Sequence, residues 1–85
     1  VASALKLWRR DRRDAGIWKK ARDRSASMRE GEIVSEVDLA LMTCGQALTR
    51  YRQAGSDREY QLDQLREARL HLEASLGMLE NVIPD

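Results

Sequence analysis

The sequence predicts an all-α chain, an antiparallel helical hairpin with an additional basic N-terminal helix or arm. Three observations carry this. Helix formers dominate, β-branched residues are few, and no alternating apolar–polar run is long enough for a strand. Two apolar stripes with helical spacing occupy the later part of the chain. A single short break, Ala54-Gly55-Ser56, separates them.

The first element covers Ala2–Arg24. Leu5, Trp8, Ala15 and Trp18 could share a face, although Asp11 and Arg12 interrupt it and Gly16 is a place where it could split. Ser25–Gly31 reads as a linker, so the chain divides into a basic arm, 1–27, and a hairpin, 28–85. The second element, about 32–53, carries Val34, Val37, Leu41, Cys44, Leu48 and Tyr51 at spacings of 3, 4, 3, 4 and 3. That is one stripe of a helix. Gly45 interrupts it, and its missing side chain could let a neighbouring helix come close.

Gly55 suits the residue after a helix end, where φ turns positive. Ser56 then heads Ser56-Asp57-Arg58-Glu59, which fits a capping box with Glu59. The third element, about 57–82, repeats Leu62, Leu65, Arg69, Leu72, Leu76, Leu79 and Ile83 at spacings of 3, 4, 3, 4, 3 and 4, and Asn81 and Pro84 mark its end. Two stripes of similar length joined by a tight turn should zip together as an antiparallel pair. Leu41, Leu48, Leu65, Leu72 and Leu79 are expected to hold it.

Composition narrows the function. An 85-residue chain buries little core and commonly needs a staple or a partner. Cys44 is the only cysteine, so no disulfide forms within the chain; a lone thiol fits a reducing compartment, which is read as the cytoplasm. Charged residues make up 34%, mean hydropathy is −0.60, and neither a membrane span nor a signal peptide is expected. The net charge of +1 hides a division: residues 1–30 hold ten Lys and Arg against four acids, while residues 31–85 hold five Arg against ten acids.

Chemistry-bearing motifs are scarce. His71, the only histidine, falls with Gln64, Glu67 and Ala74 on what reads as the back of the third helix. Cys44 lies on the core stripe, where a thiol acts as a small hydrophobe. Acid pairs such as Glu32/Glu36 and Asp63/Glu67 have helix-surface spacing and no His or Cys beside them. No phosphate loop, HExxH or GxSxG occurs. The expectation is a protein that is not an enzyme, with no metal and no cofactor.

Apolar residues off the main stripes point instead to a partner. Leu39 and Met42 on the second element, and Tyr60, Leu70, Ala74 and Met78 on the third, cannot all be covered by a two-helix hairpin. They imply a second interface, filled by the N-terminal segment or by another protein. Leu39, Met42, Tyr60, Leu70 and Met78 are the expected partner-binding residues, and a homo-oligomer is open. The arm supports a rival reading. Trp8, Arg9, Arg10, Arg12 and Arg13, followed by Trp18, Lys19 and Lys20, interleave aromatics with cations. Nucleic acid would use such a pattern through phosphate contacts and base stacking. An anionic membrane surface could use it too. Local pairing of Asp11, Asp14 and Asp23 with Arg, or a native start at Met28, are the alternatives without a ligand.

From about residue 37 to 83 the chain resembles the small helical-hairpin co-chaperones of the type III secretion needle subunit (the YscE/PscE type). The likeness rests on Gly55-Ser56-Asp57-Arg58-Glu59-Tyr60-Gln61, a Gly-containing turn followed by Tyr-Gln. It extends through Arg66-Glu67-Ala68-Arg69-Leu70-His71-Leu72-Glu73-Ala74-Ser75-Leu76-Gly77-Met78-Leu79 and, upstream, Cys44-Gly45-Gln46-Ala47-Leu48. The turn is a few residues longer than in the family, and the basic arm has no clear counterpart there. The resemblance implies a non-catalytic hairpin that pairs with a helical-repeat chaperone. That chaperone grips the needle subunit's C-terminal helix and keeps the subunit monomeric.

Overall fold

Helix formers give three helices among the residues that the computed structural model describes, 15–84. They are α1 (Ala15–Ser25), α2 (Glu30–Gln53) and α3 (Arg58–Leu79). α2 begins two residues earlier than its spacing predicts, because Glu32 accepts from the Arg29 N–H at 2.9 Å and closes the first turn. Gly16 does not split α1, and the linker shrinks to the turn at 26–29.

The hairpin turn follows its expected logic with one change of residue. Gly55 takes φ +65°, the left-handed conformation that glycine adopts without a Cβ penalty. The cap of α3 is Asp57, not Ser56: the Asp57 carboxylate accepts from the Tyr60 N–H at 3.1 Å. Gln61 Nε2 donates to the Gly55 carbonyl at 3.1 Å, tying the start of α3 back to the turn.

α3 is the middle element, touching α2 along its length and α1 near its C-terminal end. Two small cores result. Cys44, Ala47 and Ala68 pack together beside Leu48 in the half nearer the turn. Ala21, Ile33, Val37 and Met78 pack together at the other end, where all three helices meet, with Met28, Ala74, Leu79 and Val82 against them.

This arrangement corrects the expected stripes. On α2 the buried line is Ile33, Val37, Cys44 and Ala47, while Val34 and Leu41 stand 49% and 47% exposed. On α3 the buried line includes Gln64, Ala68, Ser75 and Met78, while Leu65, Leu72 and Ile83 are exposed. Ala, Cys and Ser at the contact line let the two helix axes come close, and α3 must also turn Met78 toward a second neighbour. Its buried arc is therefore rotated, and the leucine ladder expected to hold the hairpin falls at the edge of the seam. His71 and Gln64 move the other way. Gln64 is buried and accepts from Arg50 Nε at 2.7 Å, and His71 is half-buried, 3.8 Å from Glu67.

Candidate interaction surfaces

The described half of the basic segment, α1, is docked on the hairpin. Its crossing point with α3 is Gly77: a Cβ there would lie 2.4 Å from the Trp18 carbonyl oxygen, closer than any side chain can sit. The close approach expected at Gly45 occurs at Gly77 instead, and Gly45 has nothing within 4 Å. Around the crossing, the Trp18 indole Nε1–H donates to the Glu80 carboxylate. Arg22 lies 3.9 Å from the same carboxylate. Asn81 Nδ2 donates to the Arg22 carbonyl at 2.9 Å and to Ser25 Oγ at 2.8 Å, and Ser25 in turn donates to the Ala21 carbonyl at 2.6 Å. Ser25 is fully buried, so each polar atom in this clasp matters.

Two candidate residues change standing. Met78, expected on the partner face, is 2% exposed and fills the three-helix core. Its heptad neighbours left it off the expected stripe, but α1 supplies the wall that buries it. Trp18, expected to stack on bases, is 8% exposed and committed to Glu80. Lys19 and Lys20 are exposed on α1 beside a groove of about 500 Å³ lined by Ile17, Lys20, Ala21, Asp23, Arg24 and Ala74. They could meet phosphates, but without that indole. Trp8, Arg9, Arg10, Arg12 and Arg13 lie outside the described residues.

The other expected partner residues are on the surface: Leu39 at 56%, Met42 at 63%, Tyr60 at 40% and Leu70 at 37% exposed. They do not form one patch. At about 100° per residue, Met42 lies opposite the buried line of α2. Leu70 sits one heptad before Gly77, on the side of α3 turned away from α2. The hairpin thus shows apolar side chains on both outer faces.

A further surface was not expected. The register set by Arg50–Gln64, by Cys44 and Ala47 on Ala68, and by Ile33 and Val37 on Met78 places Leu48 level with Leu65, Leu41 with Leu72 and Val34 with Leu79. Helical periodicity puts all six along one edge of the α2–α3 seam, opposite the polar edge that Arg50–Gln64 bridges. The heptad spacing was visible in the sequence; only the rotation of the stripes shows that it faces outward.

Cys44 is buried in an apolar setting, and among the described residues no group of three or more His, Cys, Asp and Glu could hold a metal ion. No described helix is long and apolar enough to cross a membrane. No family model, curated protein or solved structure matches the chain.

Proposed function

We propose that this chain is a non-enzymatic co-chaperone of type III secretion that acts in the cytoplasm. It pairs with a helical-repeat chaperone and, through it, keeps the needle subunit monomeric. The observation that carries the reading is the pair of apolar outer faces on so small a fold, Leu39 and Met42 on one helix and Leu70 on the other, with Tyr60 near the turn. A partner that covers both outer faces must wrap the hairpin. The concave surface of a helical-repeat protein has that shape. The resemblance over residues 37–83 supplies the cargo.

The test is co-expression with the helical-repeat chaperone and needle subunit of the same secretion system, followed by size-exclusion chromatography. One complex containing all three is expected, with the needle subunit unpolymerised. Met42→Asp and Leu70→Asp should each weaken capture while helical circular dichroism is kept. A needle subunit that polymerises equally fast with or without this chain would overturn the reading. So would association that disappears with nuclease or between about 50 and 200 mM salt, the signature of phosphate contacts.

A further inference from the structure

The apolar edge of the α2–α3 seam has a pattern that selects its own occupant. Val34, Leu41, Leu65 and Leu72 are all exposed there, at 49%, 47%, 36% and 36%. On α2 the edge reads Glu30, Val34, Leu41, Leu48, Arg52. These residues are placed symmetrically about Leu41, with apolar side chains seven residues away on each side and charges eleven away. The two outer charges are opposite in sign. On α3, Leu65 and Leu79 stand seven residues either side of Leu72, and Leu72 lies level with Leu41. The two ladders therefore have a common centre.

We propose that a second copy of this chain covers this edge, stacked antiparallel about a two-fold axis that passes beside Leu41 and Leu72. Turning one hairpin end over end about that axis sets Leu41 on Leu41, Leu72 on Leu72, Leu48 on Val34 and Leu65 on Leu79. The same operation brings Arg52 of each copy to Glu30 of the other. Stacking the copies turn on turn instead gathers Arg52 and Arg58 of both copies at one end and sets Glu30 opposite residues 81–84, which carry no cation, at the other. Charge thus chooses the end-over-end pairing. Gly45, exposed and with open space at its Cβ position, lies next to Leu41 and Leu48 and leaves room for the two α2 helices to approach at the axis.

A strip from Val34 to Leu48 is about 20 Å long at 1.5 Å per residue and two helices wide. A face-to-face pair then buries on the order of 1,000 Å² in total, at the low end for a specific interface. The result is a four-helix core whose assembly depends on concentration. This inference does not rest on the co-chaperone reading, whose residues lie on the outer faces.

Sedimentation equilibrium of the full chain from about 1 to 300 μM spans the affinities such an area supports. The apparent mass should rise from 9.7 kDa toward twice that value. Leu41→Asp and Leu72→Asp should hold the chain at monomer mass with helical circular dichroism unchanged. Arg52→Glu and Glu30→Arg should each weaken self-association about tenfold, since each sets like charges together twice. An equimolar mixture of those two variants should recover it, because every pair in the mixed dimer is then opposite in sign. Wild-type chain that stays at 9.7 kDa throughout would overturn the proposal. So would a dimer indifferent to both Asp variants, a mixture no tighter than either charge variant alone, or a monomer whose edge is taken by a heterologous helix.

Discussion

α3 meets its two neighbours by different means. Against α2 it lays down a long contact of small side chains, with Cys44 and Ala47 on Ala68 and one polar bridge from Arg50 to Gln64. Against α1 the contact is short. Backbone meets side chain-free backbone at Gly77, and Glu80 and Asn81 then grip α1 through Trp18, Arg22 and Ser25. The long seam spreads its stability over many modest contacts, so it tolerates single changes. The α1 contact concentrates its stability in a few atoms, so one substitution can undo it while the hairpin stays folded.

Met78→Ala should have the largest effect, because Met78 packs with residues of α1 and α2 together. Removing such a buried side chain costs about 2–5 kcal/mol. Thermal unfolding followed by circular dichroism should show Tm falling by on the order of 10 °C or more. A shift of only a degree or two would mean that the two contacts do not share a core. Gly77→Val comes next, at about 1–3 kcal/mol for overpacking against a rigid neighbour. Its new side chain meets the Trp18 carbonyl, so α1 should leave while α2 and α3 keep their helicity. Trp18 emission in a Trp8→Phe background should then shift to the red. An unshifted spectrum would show that the helices can slide apart without separating.

Asn81→Ala removes two hydrogen bonds to α1 and leaves the buried Ser25 oxygen short of a donor, for about 1 kcal/mol. Amide exchange should quicken in α1 and barely change in α2. Equal acceleration in both helices would erase the contrast between the interfaces. The smallest effect sharpens the hairpin side. Asp57→Ala should cost roughly 1 kcal/mol through the lost cap, and Ser56→Ala close to nothing. Urea midpoints of the two variants would check this, and equal midpoints would return the cap to Ser56.

The helices and the turn were legible in the sequence because they are local matters. Glycine at a positive φ, an oxygen-bearing side chain ahead of α3 and the apolar spacing each act within a few residues. Where the cap fell one residue late, Asp57 and Ser56 offered the same chemistry, and only the path of the chain after Gly55 chose between them. The facing of the stripes was not legible. Periodicity says which residues share a side, not which side wins. Here Leu41, Leu65 and Leu72 lost the interior to Cys44, Ala47 and Ala68, since small residues permit closer axes. Met78 and Trp18 were misplaced for a related reason: each is buried by a helix distant in sequence. Leu39, Met42, Tyr60 and Leu70 keep the exposure that partner binding needs. Nothing in a stripe of leucines announced the symmetry between Glu30 and Arg52 until the rotation of α2 turned both to the same outward edge as Leu41.

The clasp at Asn81 joins residues 56 and 59 positions apart, and the indole bond to Glu80 spans 62. The turn, by contrast, closes over a handful of residues. Loops closed over long separations form later than local ones, so the hairpin should nucleate first and α1 should dock last. During synthesis the order of appearance is the reverse. α1 leaves the ribosome before α2 and α3 and has no landing site until residues 77–81 emerge. Trp18 waits unshielded while α2 and α3 are made, and Met78 is sealed only when α1, made before them, settles after them.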